Sequence, residues 1–199
     1  MKKLATLFAM IVVGLGTALA QGTIDFHNPN TFPLQVKDAA GNVTTLGATG
    51  SPLGPASVRV GVFISTTPVT SINQMTMVGM TTNSSSTLPL FVGTFNGGNP
   101  YAIAGHPQNE IVNFAFAAWS ISTGALTYQA AVASGLGYTG ASTIASGYAL
   151  AGGATTPALT FGNGAGQVQG FQIVQAVPEP STIALGLLGA AALFLRRRK

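Results

Sequence analysis

Residues 57–66 set the pattern for the middle of the chain. Val58, Val60, Val62 and Ile64 recur at every second position with Arg59, Gly61 and Phe63 between them, the period of a half-buried strand. The Val/Ile face is expected in the core. Before it, residues 22–27 read as a first strand stopped by Asn28-Pro29-Asn30, and residues 34–37 as a second that turns at Gly41-Asn42 into 43–46. Residues 47–55 carry the Gly and Pro of a loop. Further strands are expected at 75–80 and 88–95, the latter closed by the turn residues Asn96-Gly97-Gly98-Asn99-Pro100. Residues 111–121 are apolar on both faces, as in a central strand covered on both sides. Ser122-Thr123-Gly124 then turns the chain into 126–132 as its hairpin partner. Residues 134–167 read as irregular apart from short pieces at 144–150 and 158–161, and 168–175 closes the pattern with Phe171 and Ile173.

About eight to ten short strands at this spacing predict an all-β fold, an antiparallel β-sandwich of jelly-roll-like form. No fixed repeat period runs through the Gly/Asn/Thr-rich stretches, which a parallel β-solenoid requires. The expected division is residues 1–20, a single β-sandwich ectodomain at 21–175, and a separate segment at 176–199.

The two ends follow other rules. Residues 1–20 start with Lys2 and Lys3, continue through an apolar stretch and finish on Ala18-Leu19-Ala20. That is the order of a secretory signal peptide, with cleavage expected after Ala20 so that Gln21 begins the mature chain. At the far end, Pro178-Glu179-Pro180 precedes an uncharged run at 182–195 and then Arg196, Arg197, Arg198 and Lys199. Fourteen helical residues reach ~21 Å against a hydrocarbon core of ~30 Å, so the run is short for a transmembrane helix. The four cations favour one all the same: a basic cluster stays cytoplasmic, and its long stems can snorkel to the interface.

Charge changes the picture once the ends are set aside. Of the eight Lys and Arg residues in 199, six belong to the ends. Lys37 and Arg59 remain in the middle, against Asp25, Asp38 and Glu110, a balance of −1. The net +4 of the whole chain therefore belongs to targeting, and no basic stripe is left for a nucleic-acid partner. Cysteine is absent, which excludes a disulfide framework and thiol chemistry.

Candidate chemistry is sparse. Asp25 and His27 share a strand face as an acid/base or ligand pair, here expected at a solvated edge. His106 and Glu110 are four apart, but Gly105 and Pro107 oppose the helix that would align them. A hydrolase around Asp25, His27 and Glu110 would need the three side chains together in one cleft. Gly162-Asn163-Gly164-Ala165-Gly166 lacks the Lys and the following helix of a phosphate loop. Trp119 is expected in the core, and Tyr101, Tyr128, Tyr138 and Tyr148 at the surface, where they and loop amides could engage a polysaccharide. The expectation is a protein that is not an enzyme, with no catalytic residue, metal or cofactor.

The order of tripeptide, short apolar run and basic tail resembles the PEP-CTERM sorting signal of bacterial surface proteins. The resemblance implies that Pro178, Glu179 and Pro180 are a recognition element, read by a membrane-embedded exosortase that cuts nearby. It also implies an inner-membrane-anchored precursor that passes to the cell surface or extracellular matrix, including exopolysaccharide and biofilm matrix. Residues 116–174 look like a recurrent ectodomain of such proteins through Ala118-Trp119, Gly124, residues 128–131, Gly140, Ser142, Pro157 and Phe171; that likeness carries no active site. A non-enzymatic surface or matrix protein is thus the first functional expectation, and a carbohydrate-binding β-sandwich module the alternative.

Overall fold

The computed structural model describes residues 21–152 and 155–176. The expected signal peptide with Ala18 and Ala20, the tripeptide at 178–180, the apolar run and the basic tail lie outside the described residues. Within them no helix is long and apolar enough to cross a membrane.

The chain forms β1 (Gln21–His27), β2 (Gln35–Lys37), β3 (Val43–Thr45), β4 (Val58–Ser65), β5 (Thr76–Thr82), β6 (Asn96–Pro107) and β7 (Ile111–Ser120). Helix α1 (Tyr128–Ser134) follows, then β8 (Tyr138–Ala141), β9 (Ala145–Ala149), β10 (Ala151–Gly152) and β11 (Gln172–Gln175). The fold is all-β with few helical residues, in two sheets. One has the order β10-β1-β6; the other runs β3-β2-β11-β8-β7-β4-β5, with β9 also paired to β7. β4 and β7 pair antiparallel from Val58–Ser120 to Ser65–Asn113, so the most regular apolar pattern in the sequence becomes the middle of the larger sheet.

The sheets share one core. Ile24 and Phe26 of β1 and Ile103 of β6 pack with Val58, Val60, Val62 and Ile64 of β4 and Val112, Phe114, Phe116 and Ala118 of β7. Each fully buried large side chain of this kind contributes ~1.5–3 kcal/mol. A second cluster covers the other face of the larger sheet: Phe63, Ala115 and Ala117 lie under Met75, with Ile72, Met77 and Tyr128 against them. The reading of 111–121 as covered on both sides therefore holds, except at Ile111, which is exposed.

Four local expectations are corrected. Residues 88–95 form turns instead of a strand, leaving Leu88, Leu90 and Phe91 exposed and Phe95 as the buried large side chain. The turn expected at 96–100 is the start of the twelve-residue β6: Gly98 takes φ +132° and Gly97 lets Phe26 press against the backbone, where an added Cβ would stand 2.2 Å from its ring. The hairpin partner expected at 126–132 is α1. Thr127 caps it by accepting from the Ala130 N–H (3.2 Å), the interior is alanine-rich, and Gly135 closes it at φ +62°. Within 134–167, the short piece expected at 144–150 holds β9, whereas the irregular reading of the rest missed β8 and β10. Topology also departs from a purely antiparallel arrangement, because β11 runs parallel to β2 with Ile173 beside Val36.

Two buried amides stitch the loops to the sheets. Asn28, at the end of β1, accepts from the Phe95 N–H through Oδ1 (2.6 Å) and donates through Nδ2 to the carbonyls of Phe32 (2.9 Å) and Gly93 (3.0 Å). Asn83 accepts from the Val58 N–H (2.9 Å). Asn28→Ala strands three backbone groups at once, two of them in buried bonds. It is expected to lower the unfolding free energy by about 2–3 kcal/mol in denaturant titration and to accelerate hydrogen exchange at the Phe95 amide.

Candidate functional site

The described domain ends in a fixed position. On β11, Val174 pairs with Thr139 and Gln175 with Tyr138 of β8. The Tyr138 hydroxyl (3.2 Å) and the Ala39 N–H (3.3 Å) both donate to Gln175 Oε1. Ala176 then donates its N–H to the Gly137 carbonyl at 2.7 Å. Residue 137 is glycine for a reason, since φ is +69° and an added Cβ would fall 2.3 Å from Ser120 Oγ. The last described residue is thus pinned to the turn that opens β8.

The two histidines each pair with a carboxylate, and the pairs are separate. His27 Nδ1 is hydrogen-bonded to Asp25 Oδ1, and His106 Nδ1 to Glu110 Oε2 at 2.7 Å. The register of β1 on β6 puts Gln21 opposite Pro107, beside the second pair, and His27 opposite Asn96, six residues or roughly 20 Å along the strand. Glu110 is therefore not drawn to Asp25 and His27, as a hydrolase built on all three would need. Among the described residues no group of three His, Asp or Glu stands ready to hold a metal ion.

Asp25 is not the solvated edge residue the sequence suggested. β1 is the middle strand of its sheet, and Asp25 is buried there. The Thr160 hydroxyl donates to its carbonyl (2.9 Å), and the Thr160 N–H lies 3.5 Å from Oδ2. Burial raises the Asp25 carboxyl above the ordinary aspartate range, and the bond to His27 opposes the rise without cancelling it. The native state therefore holds more protons than the unfolded chain between pH 3.8 and the raised native value. This contribution to stability is complete below pH 3.8 and is lost as pH rises through the native pKa. Calorimetry across that window is expected to show the melting temperature falling with rising pH, and the Asp25→Asn chain is expected to lose that slope.

The tryptophan and the tyrosines are engaged internally. Trp119 is fully buried, as expected, and donates Nε1–H to the Ala125 carbonyl at 3.0 Å. The tyrosines are not the exposed platform expected of them. Tyr148 is buried, donates to the Ala158 carbonyl (2.6 Å), and has its phenol pushed up to about 12 chiefly by burial. Tyr101 donates to the Val78 carbonyl (3.1 Å), and Tyr128 packs edge-on against Phe63. The Gly162–Gly166 stretch is a loop filled by Gln167, whose Oε1 accepts from the Gly164 N–H at 2.8 Å. Shallow grooves remain. One of about 370 Å³ borders His27, Asn28, Leu90 and Phe91; another of about 210 Å³ borders Phe32, Gln35, Asn163 and Gln169.

Residues 176–199 match the PEP-CTERM protein-sorting motif. The chain carries a PEP-CTERM sorting signal. The match begins at Ala176, the residue pinned to Gly137, so the PEP-CTERM motif follows the described β-domain directly in the sequence. It covers Pro178, Glu179, Pro180, the apolar run and the four terminal cations. A PEP-CTERM motif marks an exported protein that is membrane-anchored before processing, and it implies an exosortase as the processing partner. No curated protein and no solved structure matches the chain.

Proposed function

We propose that this protein is a non-enzymatic component of the bacterial cell surface or extracellular matrix, delivered as a membrane-anchored precursor and released by an exosortase. The observation that carries this reading is the direct junction at Ala176 of a packed, charge-poor β-domain with a PEP-CTERM motif. In this reading residues 1–20 are removed after Ala20. The run at 182–195 is a transmembrane helix held by Arg196, Arg197, Arg198 and Lys199 at its cytoplasmic end. The ectodomain is then a jelly-roll-like sandwich whose role is to be displayed, as a coat, adhesin or matrix component.

The separation of the two His–carboxylate pairs supports the non-enzymatic part, since neither pair is joined by a third His, Asp or Glu among the described residues. The internal bonds of the tyrosines leave a carbohydrate-binding reading resting on side-chain amides such as Gln35 of β2 and the loop residues Asn163 and Gln169. Mass spectrometry of the C-terminal peptide recovered from the host tests the reading. A terminus within residues 177–181 in the extracellular fraction supports it, and an intact Lys199 in every fraction overturns it.

A further inference from the structure

Strand register shows which end of the domain the sorting motif leaves from. Val58 of β4 is level with Ser120 of β7, Trp119 with Thr139 of β8, and Thr139 with Val174 of β11. The start of β4, the end of β7, the start of β8 and the end of β11 therefore form one end, and Ala176 closes it through Gly137. The segment between β7 and β8 leaves from and returns to that end, packing Tyr128 over the outer face of the larger sheet against Phe63, and carries Leu126, Val132 and Leu136, which are 69%, 50% and 58% exposed. Leu136 immediately precedes the glycine that holds Ala176. The loop bearing the exposed Leu88, Leu90 and Phe91 is rooted there as well, because the Asn83 N–H bonds the Val58 carbonyl at 3.0 Å. At the other end of β7 stands the polar turn Gln108-Asn109-Glu110, with Ile111 the exposed apolar residue beside it.

The tether is short. From Ala176 to Thr182, where the uncharged run begins, the chain has six steps, which span at most about 22 Å. The headgroup layer on one side of a bilayer is itself roughly 5–8 Å thick. With the run in the hydrocarbon, the end of the domain that carries Leu126, Val132 and Leu136 is confined to the immediate neighbourhood of the lipid surface. β7, at ten residues or about 30 Å, holds the opposite end away from it. Charge does not oppose the approach. The middle of the chain has a balance of −1, and Arg59 at this end spends its guanidinium on the Ala125 carbonyl at 2.7 Å.

The geometry points to a membrane-facing end: before processing, Leu126, Val132 and Leu136 rest in the headgroup region of the bilayer that holds the sorting motif. This deepens the reading of the chain as a membrane-anchored precursor and rests on it. Apolar side chains of this size favour the interface, while a neutral domain gains little from anionic lipid, so the contact is apolar and insensitive to salt. It also sets the orientation of the substrate, keeping Pro178, Glu179 and Pro180 at the membrane plane where a membrane-embedded protease works. Cleavage then frees the apolar end together with the domain.

The absence of cysteine makes the test direct. Leu126→Cys, Leu136→Cys and, as the distal control, Ile111→Cys are introduced singly into the full chain and labelled with an environment-sensitive fluorophore. All three positions are exposed, so folding is checked by comparing melting with the parent chain. Each is reconstituted in phosphatidylethanolamine–phosphatidylglycerol vesicles carrying a headgroup quencher. Quenching is expected to be at least about threefold stronger at 126 and 136 than at 111. It should also be unchanged between about 50 mM and about 500 mM salt. Chains that float with the vesicles but quench equally at the three sites overturn the membrane-facing end and leave the anchor intact. Chains that fail to float overturn the anchored reading and this inference together. Shielding of Leu136→Cys only in membranes that contain an exosortase, with no lipid quenching, also overturns it and assigns the end to the protease.

Discussion

Phe116→Ala is expected to lower the unfolding free energy by about 3–5 kcal/mol, a large part of the ~5–15 kcal/mol available to a domain. Phe116 stacks on Phe26 (centroids 5.9 Å apart, planes at 13°) and on Phe161 (4.8 Å, 23°), and meets Phe114 edge-on at 5.7 Å. Phe95 tilts against it at 5.7 Å. Those partners come from the smaller sheet, from the closing loop and from the larger sheet, so truncation empties the place where all three meet. The cavity cannot collapse cheaply, because β7 is held in register by β4 on one side and by β8 and β9 on the other. Phe91→Ala removes the same side chain from an exposed loop, and its expected change is within about 0.5 kcal/mol. Trp119 is the single tryptophan and is fully buried, so its fluorescence during denaturation of the full chain in mild detergent reads both variants. Equal midpoints for the two would mean that Phe116 does not join the sheets.

The contrast between these phenylalanines marks where the sequence was readable. Val58, Val60, Val62 and Ile64 declare their strand because period two and burial on one face coincide; Phe116 sits in a run that is apolar on every side and can only be central. Phe91 belongs to a run of the same apolar character, residues 88–92, that the structure leaves outside. Local pattern cannot separate the two, since what buries Phe116 is Phe26 and Phe161, far away in the chain. Residues 126–132 failed for a different reason. Their alanines suit a helix, but a turn following a long strand suggests a hairpin, and the Thr127 cap decides the matter only in three dimensions. The parallel pairing of β11 with β2 joins residues 137 apart, for which no local signal exists. Asp25 was misplaced because the strands that flank it, β6 and β10, follow much later. Its partner Thr160 lies 135 residues on. The sorting motif was legible throughout because its physics is local: stiffness, apolarity and charge stand side by side in 24 residues.

Release is expected to fall to background when Pro178, Glu179 and Pro180 are all replaced by alanine, with the protein accumulating in the membrane fraction and keeping Lys199. The substitution leaves the apolar run and the cations untouched, so anchoring persists and only recognition is lost; the β-domain described through Ala176 should melt as before. Replacing Arg196, Arg197, Arg198 and Lys199 by serine acts on the other half of the signal. Carrying one such cation through the middle of a bilayer costs about 2.5–3.5 kcal/mol on the insertion scale, so four of them make the C-terminal end a firm stop. Serine weakens that stop, and a 14-residue run is already short for the bilayer. The neutral-tail chain is therefore expected in the soluble exported fraction with residue 199 intact, having slipped through instead of being cut. The two variants separate the roles by terminus and fraction: an uncut chain in the membrane for the first, an uncut chain outside it for the second. If the alanine variant is still released with a terminus within 177–181, the tripeptide is not what the protease reads, and recognition has to lie in the apolar run.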